Sequence, residues 1–460
     1  MYNKHKLTTI AVLVMSLSAC AVGPDYRSPD KVADITISSP YQQAELAQSW
    51  WQAFDDESLN RLIDRALDEN RTLAQAKANV DRAYAVFRDA DNDTLPKGTL
   101  DAGYQASENA VLQSENESVI LRGYSTGANL SWDLDLFGKL RRASEAAEAQ
   151  AQQADILWHD AQVQLISQVA TSYGEYRGAQ LRLKVAEQNL QNLQQSRGIV
   201  MARLEAGMAS ELELTQIDVQ LHQVNASIPA YRVALLTADA TLSALLGQRP
   251  GQLELDDVPR LPQLKHPVSV VEGENYLRYR ADVASSERLL AARTAEIGVA
   301  TADLYPNVSI SGFLGFLSGP GLTLGSDTKS WSVAPSLSWQ AADLGSVRSR
   351  IRQAEASSQM ALAQFEQEVF DAINEMQLAL NSYNLSREQQ LSTELQWQAS
   401  TKAVDISRER YNAGSGEFLD LLDSERELLR SRDQLAQLQQ QSFLRLVDIY
   451  RSFGGGIQLI

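Results

Sequence analysis

The sequence Arg203-Leu204-Glu205-Ala206-Gly207 recurs as Arg410-Tyr411-Asn412-Ala413-Gly414, and this repetition decides how the chain is organised. Leu130-Ser131-Trp132 recurs in the same way as Leu337-Ser338-Trp339. Both pairs share one offset of 207 residues, 410 − 203 and 337 − 130. Self-similarity at a constant offset indicates two copies of one structural unit. We therefore predict an internal twofold repeat in this chain of 460 residues.

The composition of each copy predicts a long helix. Segments 140–205 and 347–411 lack proline, which disrupts helix interiors, and are rich in Ala, Gln, Glu and Arg, which favour helix. At ~1.5 Å per residue, each would extend about 100 Å. Gly207 and Gly414 follow directly, where a helix would end and the chain would turn. The other predicted helices are 58–93 and 210–246 in the first copy, and 272–303 and 417–453 in the second.

Between these helices the hydrophobic period changes from 3.6 to 2, at about 98–134 and about 307–340. Leu100, Ala102 and Tyr104, for example, alternate with small or polar residues. We therefore predict a pair of strands in each copy. Small polar residues on one face and aromatic residues on the other are typical of membrane β-barrels. Soluble hairpins that pack on helices remain the alternative explanation of this pattern.

The number of strands limits the barrel interpretation. Four strands are too few to close a membrane barrel, since known barrels have about eight or more. An open sheet edge cannot face lipid, because its backbone groups would lack hydrogen bonds. Several chains would therefore have to share one barrel. Two chains would supply eight strands and three chains twelve, and a wide helical tube favours the larger number.

The composition argues against several other classes of protein. A net charge of −17 argues against nucleic-acid binding, which requires a basic surface. One cysteine and four scattered histidines do not suggest a metal site or a catalytic cluster. Gly414-Ser415-Gly416 is too short for a nucleophile elbow or a phosphate loop. We therefore expect no enzymatic activity, no cofactor and no metal.

The N-terminus indicates the compartment. Residues 1–19 combine a basic start with a short apolar segment, which is the layout of a secretory signal peptide. The only cysteine, Cys20, follows Leu17-Ser18-Ala19, and this junction resembles the bacterial lipoprotein signal. An ordinary signal peptide with a chance cysteine is the alternative. We predict that Cys20 carries lipid, and Ala21 in place of an Asp points to the outer membrane.

The predicted domain organisation follows from these segments. The parts are a lipoprotein signal peptide at 1–19, a lipid-anchored extension at 20–49, repeat 1 at 50–250, a linker at 251–262, repeat 2 at 263–455 and a C-terminal tail at 456–460. Each repeat would contain a helix, a strand pair, a long helix and another helix. A lipid-anchored periplasmic adaptor (membrane fusion) protein with coiled-coil hairpins is the main alternative. Such an adaptor would need a lipoyl-like or β-barrel domain beside one hairpin.

Two further segments carry a family resemblance, Cys20-Ala21-Val22-Gly23-Pro24-Asp25-Tyr26 and Trp50-Trp51-Gln52-Ala53-Phe54-Asp55-Asp56. With the repeat, the strand pairs and the long helices, they resemble the lipidated OprM/NodT-like branch of the TolC-like outer-membrane efflux factor family. The resemblance covers essentially the whole mature chain. It implies a mainly α fold with a membrane β-barrel, in a homotrimer that shares one 12-stranded barrel and a 12-helix periplasmic tube.

The resemblance also implies a function. Proteins of this family are outer-membrane exit ducts of tripartite efflux systems and have no catalytic site. They passively conduct drugs or other small toxic molecules across the periplasm and the outer membrane, and they are gated at the periplasmic end. The implied partners are a periplasmic adaptor protein, an inner-membrane efflux pump that supplies the energy, and the lipids of the outer membrane.

The candidate gate lies after the second turn. Asp420 and Asp423 are spaced i, i+3 and therefore share a helix face. They match the acidic pair that rings the closed pore in the family, where six carboxylates in a trimer would attract cations. Acids near a helix N-terminus also complement its dipole, which is the alternative role. The resemblance adds Tyr411 and Glu213 to the gate, whereas Gly416 replaces the basic latch residue of the best-known members.

The two turns between helices are also the candidate contact with the adaptor. The glycines have an alternative role as turn residues, and the leucines as core residues of the hairpins. The positions that match the family's tip pattern are Arg203, Gly207 and Leu212 in the first turn, and Arg410, Gly414 and Leu419 in the second.

Overall fold

The computed structural model defines the fold over most of the chain. The residues that it describes are 21–29, 42–43, 49–110, 118–256, 258–264, 269–270, 279–319 and 325–456. The predicted signal peptide at 1–19 and Cys20 lie outside the described residues. Among the described helices, none has the run of apolar residues that crossing a membrane requires.

The main elements occur twice in the same order, with helices before a strand pair and two long helices after it. In the first half they are α1 (Glu57–Glu69), α2 (Arg71–Asn92), β1 (Lys97–Ala110), β2 (Ser118–Asp133), α3 (Lys139–Glu205) and α4 (Glu211–Leu245). In the second half they are α5 (Ala281–Ala302), β3 (Asn307–Ser318), β4 (Lys329–Ser338), α6 (Leu344–Asn412) and α7 (Phe418–Ser452). The four long helices lie where their composition predicts them.

The helix predicted at 58–93 is wrong in one respect, because it is two helices that meet at Asn70. Asn70 is buried and has an extended backbone conformation. Its Nδ2 donates to the backbone oxygen of Leu245 at 2.9 Å, and its Oδ1 accepts from the backbone N–H of Leu73 at 2.9 Å. The asparagine therefore ends α1 and caps α2, which is the usual competition of this side chain with helix. The predicted start of the later helix at 272 lies outside the described residues.

All four long strands form one antiparallel sheet in the order β1-β2-β3-β4. The pairing of β2 with β3 joins the two copies of the repeat. The repeated tryptophans make equivalent hydrogen bonds at the ends of their strands. Trp132 Nε1 donates to the backbone oxygen of Thr94, and Trp339 Nε1 to that of Leu304, both at 3.1 Å. Similar sequence in the two copies therefore gives similar local structure.

The compact units of the chain do not follow the sequence repeats. One unit contains the described residues of 21–29, 79–155 and 285–367, including the whole sheet. The other contains those of 42–43, 49–78, 156–284 and 368–456. Each unit takes elements from both copies, and α3 and α6 contribute to both units.

The segment that follows Cys20 is fixed within the first unit. The backbone N–H of Val22 donates to the oxygen of Phe137 at 3.1 Å. The buried guanidinium of Arg142 donates to the backbone oxygen of Val22 at 3.2 Å and to the carboxylate of Asp25 at 2.6 Å. The described chain therefore begins as an ordered strap on the start of α3.

A pair of glycines lies at the junction of the two copies. Gly127 on β2 is directly opposite Gly315 on β3. A Cβ atom on Gly315 would lie 2.6 Å from the Cα atom of Gly127, and would also meet the backbone oxygen of Thr126. The ring of Phe313 lies over both glycines, 2.8 Å from where a Cβ atom on either would stand. This contact explains why an aromatic residue interrupts the polar face of β3, since aromatic rings commonly cover glycine in sheets.

We expect Gly315→Ala to destabilise the folded protein by about 1–3 kcal/mol, the usual range for overpacking. Gly312→Ala is the matched control, because a Cβ atom there would make only ordinary contacts at 3.5 Å or more. Thermal unfolding of the detergent-solubilised protein measures both. Equal melting temperatures for the two variants would show that the close approach of β2 and β3 does not exclude a side chain at position 315.

Candidate functional site

The two turns between long helices have the same backbone geometry. Gly207 and Gly414 have φ angles of 71° and 74°, in the left-handed region. The N–H of Met208 donates to the oxygen of Arg203 at 2.7 Å, and that of Ser415 to Arg410 at 3.0 Å. These bonds close the Schellman motif, in which glycine has no steric cost. A Cβ atom on either glycine would meet nothing within 4 Å, so the backbone angle alone requires glycine.

The helices that follow the turns begin differently. Ser210 and Glu213 form a capping box at the start of α4, with the N–H of Glu213 donating to Ser210 Oγ at 3.3 Å. The N-cap of α7 is Glu417, whose side chain makes no capping bond. The first turn of α7 carries Asp420 instead. Glu213 is therefore held by its own helix, whereas Asp420 is not.

Tyr411 joins the two turns. Its side chain is buried, and its hydroxyl donates to Glu213 Oε2 at 3.0 Å. The guanidinium of Arg203 lies 4.3 Å from the centre of the Tyr411 ring, and Nη1 of Arg203 donates to the backbone oxygen of Tyr411 at 2.7 Å. The structure therefore brings Arg203, Tyr411 and Glu213 together. The sequence predicts Tyr411 and Glu213 in the gate and Arg203 at the tip, and the structure joins all three in one contact.

Tyr411 belongs to an apolar cluster formed by buried residues of α3, α4, α6 and α7. Leu214 packs against it, whereas Leu212 and Leu419 are 65% and 53% exposed and lie outside it. The alternative that Leu212 and Leu419 are core residues of the hairpins is therefore wrong. The buried members of the cluster are Leu193, Val200, Ile217, Tyr411, Phe418, Leu421 and Leu422.

Asp420 and Asp423 both point away from this core. Asp420 makes no side-chain hydrogen bond or ion pair with any residue that the structure describes, and Asp423 has only a 3.5 Å contact with Arg426. The helix dipole acts within the first turn, so it favours Asp420 but does not account for Asp423. The two carboxylates are exposed and available to groups outside this chain.

Gly416 cannot supply a cation to Tyr411, because glycine has no side chain. A Cβ atom there would lie 3.0 Å from the Cβ atom of Arg410 and 3.2 Å from the backbone nitrogen of Tyr411. A larger residue would therefore crowd the turn. The cation on Tyr411 comes from Arg203 of the other turn, which the sequence pattern did not indicate. The equivalent residue, Arg410, is exposed.

Long helices joined by tight turns, in a chain with a four-stranded antiparallel sheet, agree with the architecture that the resemblance to outer-membrane efflux proteins implies. The chain belongs to the outer membrane efflux protein family, whose signature matches residues 62–248 and 274–455. The two matched segments include most of both copies of the repeat. The family match decides between the two functions that the sequence left open, in favour of an outer-membrane efflux channel over a periplasmic adaptor.

Individual relatives match over nearly the full length. Nodulation protein T of Rhizobium leguminosarum bv. viciae is 28% identical, covering 94% of this chain and 89% of its own. Outer membrane protein OprJ of Pseudomonas aeruginosa is 28% identical, covering 97% and 95%. The solved structure of the outer-membrane channel OprN superimposes with a TM-score of 0.91 at 40% identity, covering 95% of this chain and 99% of that chain.

The environment of Tyr411 makes its ionisation testable. Burial, and then the hydrogen bond and charge of Glu213, raise the pKa of Tyr411 to about 12. We expect the difference in phenolate absorbance between wild type and Tyr411→Phe to titrate near that pH. Because the raised pKa favours the neutral phenol, its stabilising contribution is complete below about pH 10 and is lost as the pH rises towards 12.

Glu213→Gln is the matched variant for this titration. The pKa of Tyr411 should fall but stay above its ordinary value, because burial is the larger cause. Circular dichroism at each pH monitors the helices. A difference spectrum that titrates near pH 10 in the wild type would contradict the contact between Tyr411 and Glu213.

Proposed function

We propose that this chain is the exit duct of a tripartite efflux system. An inner-membrane pump would supply the energy, a periplasmic adaptor would join pump and duct, and the duct would conduct drugs or other small toxic molecules passively. The observation that carries the proposal is the exposed pair Asp420 and Asp423, which has the charge that a cation-preferring constriction needs.

The sheet supports a homotrimer. β1 and β4 are its two edges, and each pairs with a described strand on one side only. Apolar side chains such as Trp331, 75% exposed, cover one face of the sheet without any covering element. The hydrocarbon of a bilayer could contact this apolar face, but it could not form hydrogen bonds with the unpaired backbone groups of the open edges. Three copies would close the edges into a 12-stranded barrel and satisfy both requirements.

The helices of the second unit support the same assembly. Large apolar residues are exposed on α6, at Phe370, Leu378 and Leu385, and on α4, at Val233 and Leu236. A soluble monomer rarely exposes apolar surface on this scale, and such patches mark interfaces. Four helices from each of three chains would bury these stripes in a 12-helix periplasmic tube.

We further propose that lipid on Cys20 anchors the mature chain in the outer membrane. The support is the sequence before the cysteine, together with the strap that follows it. Because Arg142 holds Val22 and Asp25, the chain leaves the anchor in a defined direction. A lipid chain adds membrane affinity from its buried methylene groups.

The gate proposal assigns Asp420 and Asp423 to one constriction in the trimer, where six carboxylates would meet. We expect Asp420→Ala/Asp423→Ala to enlarge the single-channel conductance and to weaken cation selectivity. Planar-bilayer recording with a salt gradient measures both quantities. Alanine shortens both side chains, so the constriction widens, and the loss of the carboxylates lowers its attraction for cations.

The control neutralises two acids farther along the same helix, Glu427→Ala/Asp448→Ala. These side chains already have local partners, Gln396 and Arg445. This variant should conduct like the wild type. If the Asp420/Asp423 variant also conducts like the wild type, the gate assignment fails.

The two turns are the proposed contact with the adaptor. Leu212 and Leu419 expose apolar surface there, and Met208 adds to it. Arg410 supplies an exposed cation, whereas Arg203 is occupied by Tyr411. Apolar anchors with a polar rim are typical of protein interfaces.

We expect Gly207→Trp or Gly414→Trp to abolish efflux while trimers still assemble, because a bulky side chain would block the adaptor. Drug susceptibility of an efflux-deficient host measures the effect. Gly207→Ala and Gly414→Ala control for backbone strain, which costs about 1–2 kcal/mol at a left-handed residue. Gly251→Trp controls for bulk, since Gly251 also has a positive φ and open space around it.

Both controls should retain efflux. Unchanged resistance in the tryptophan variants at the turns would rule out this contact. Loss of efflux in the alanine variants would assign the effect to the turn backbone.

A further inference from the structure

A cavity of about 350 Å³ lies between α3, α4 and α7 within the second unit. Its size falls in the range of small-molecule sites. It is also much larger than the ~30 Å³ that one water molecule occupies in the liquid. Part of the wall is apolar, from Val185, Ala186, Val224 and Leu429. None of these residues belongs to the turns or to the gate described above.

Two buried amide side chains line this cavity and have polar atoms that lack hydrogen-bond partners among the described residues. Gln220 is 2% exposed, and neither its Oε1 nor its Nε2 has a partner among the described residues. Asn189 is 4% exposed, and its Oδ1 has no partner among them either. A buried polar group without a partner costs about 1–3 kcal/mol. Such a cost on adjacent helices indicates that the site has an occupant that forms hydrogen bonds.

The charge of the cavity wall indicates the sign of that occupant. Arg426 and Arg430 line it at i, i+4 on α7, a spacing at which like charges repel, and only Arg426 has an acidic contact, with Asp423 at 3.5 Å. Arg430 has no hydrogen bond or ion pair with a described residue. The acid on the wall, Asp433, is already neutralised, since both of its oxygens accept from Arg182 at 2.8 Å. Tyr231 also donates to Asp433 at 3.1 Å. An acidic chain therefore carries a locally positive cavity.

We propose that this cavity binds a small organic anion, a carboxylate with an apolar body. The carboxylate would accept from the guanidinium of Arg430, in the charge-assisted geometry that favours this pair. The amide of Gln220 would donate the second hydrogen bond, and the apolar body would contact Val224 and Leu429. Such a ligand would connect α4, whose first turn carries Glu213, to α7, whose first turn carries Asp420.

Calorimetric titration of the purified full-length protein with 2-naphthoate tests the proposal. The uncharged amide of the same shape, 2-naphthamide, isolates the contribution of charge. We expect the wild type to bind 2-naphthoate about tenfold more tightly than 2-naphthamide, as a hydrogen bond to a charged group allows. Arg430→Gln should remove this preference. Gln220→Glu, which conserves volume, should also remove it because its carboxylate would take the place of the ligand's.

Arg445→Gln is the matched control on the same helix, since Arg445 lies outside the cavity and contacts Asp448. It should bind 2-naphthoate like the wild type. Elution as wild-type-sized particles verifies that each variant is assembled, and the exposed position of Arg430 keeps that variant informative if Gln220→Glu misfolds. Equal affinity of wild type and Arg430→Gln for 2-naphthoate would overturn the site. Equal affinity of the wild type for inorganic phosphate would overturn the requirement for an apolar body.

Discussion

The pairing of β2 with β3 is the interaction on which the rest of the structure depends. It joins a strand of the first copy to a strand of the second, and the opposed glycines Gly127 and Gly315 allow the two backbones to approach. Once the copies share a sheet, the helices that leave it pack on helices of the other copy. The compact units therefore contain elements from both copies and cut across the sequence repeat.

Because each compact unit combines elements of both copies, the two turns make different contacts, although their backbones are alike. The repeat places Leu204 and Tyr411 at equivalent positions, and only the tyrosine reaches across to Glu213. Arg203 lies on the Tyr411 ring, whereas its equivalent Arg410 is exposed. A cation from one turn therefore stabilises the tyrosine of the other. This asymmetry gives Arg203 a structural contact and leaves Arg410 exposed.

Much of the fold could be predicted from composition and period, because helix propensity and proline placement act locally. The long helices, the strand pairs and the turn glycines were all accessible in this way. The break at Asn70 was not, because its side chain bonds to Leu245, a partner far away in sequence. The candidate gate residues were accessible only by resemblance. Neither the contact of Arg203 nor the cavity beside Arg430 leaves a signal in residue spacing.

The sequence by itself determined the repeat, the types and order of the main elements, and the left-handed turns at Gly207 and Gly414. These depend on local backbone preferences, which each residue carries with it. The tertiary structure alone decided which leucines are exposed, which arginine meets Tyr411, and which amides lack partners. Those outcomes depend on packing between residues far apart along the chain, 208 positions in the case of Arg203 and Tyr411. The residue pattern within one helix does not specify which helix packs against it.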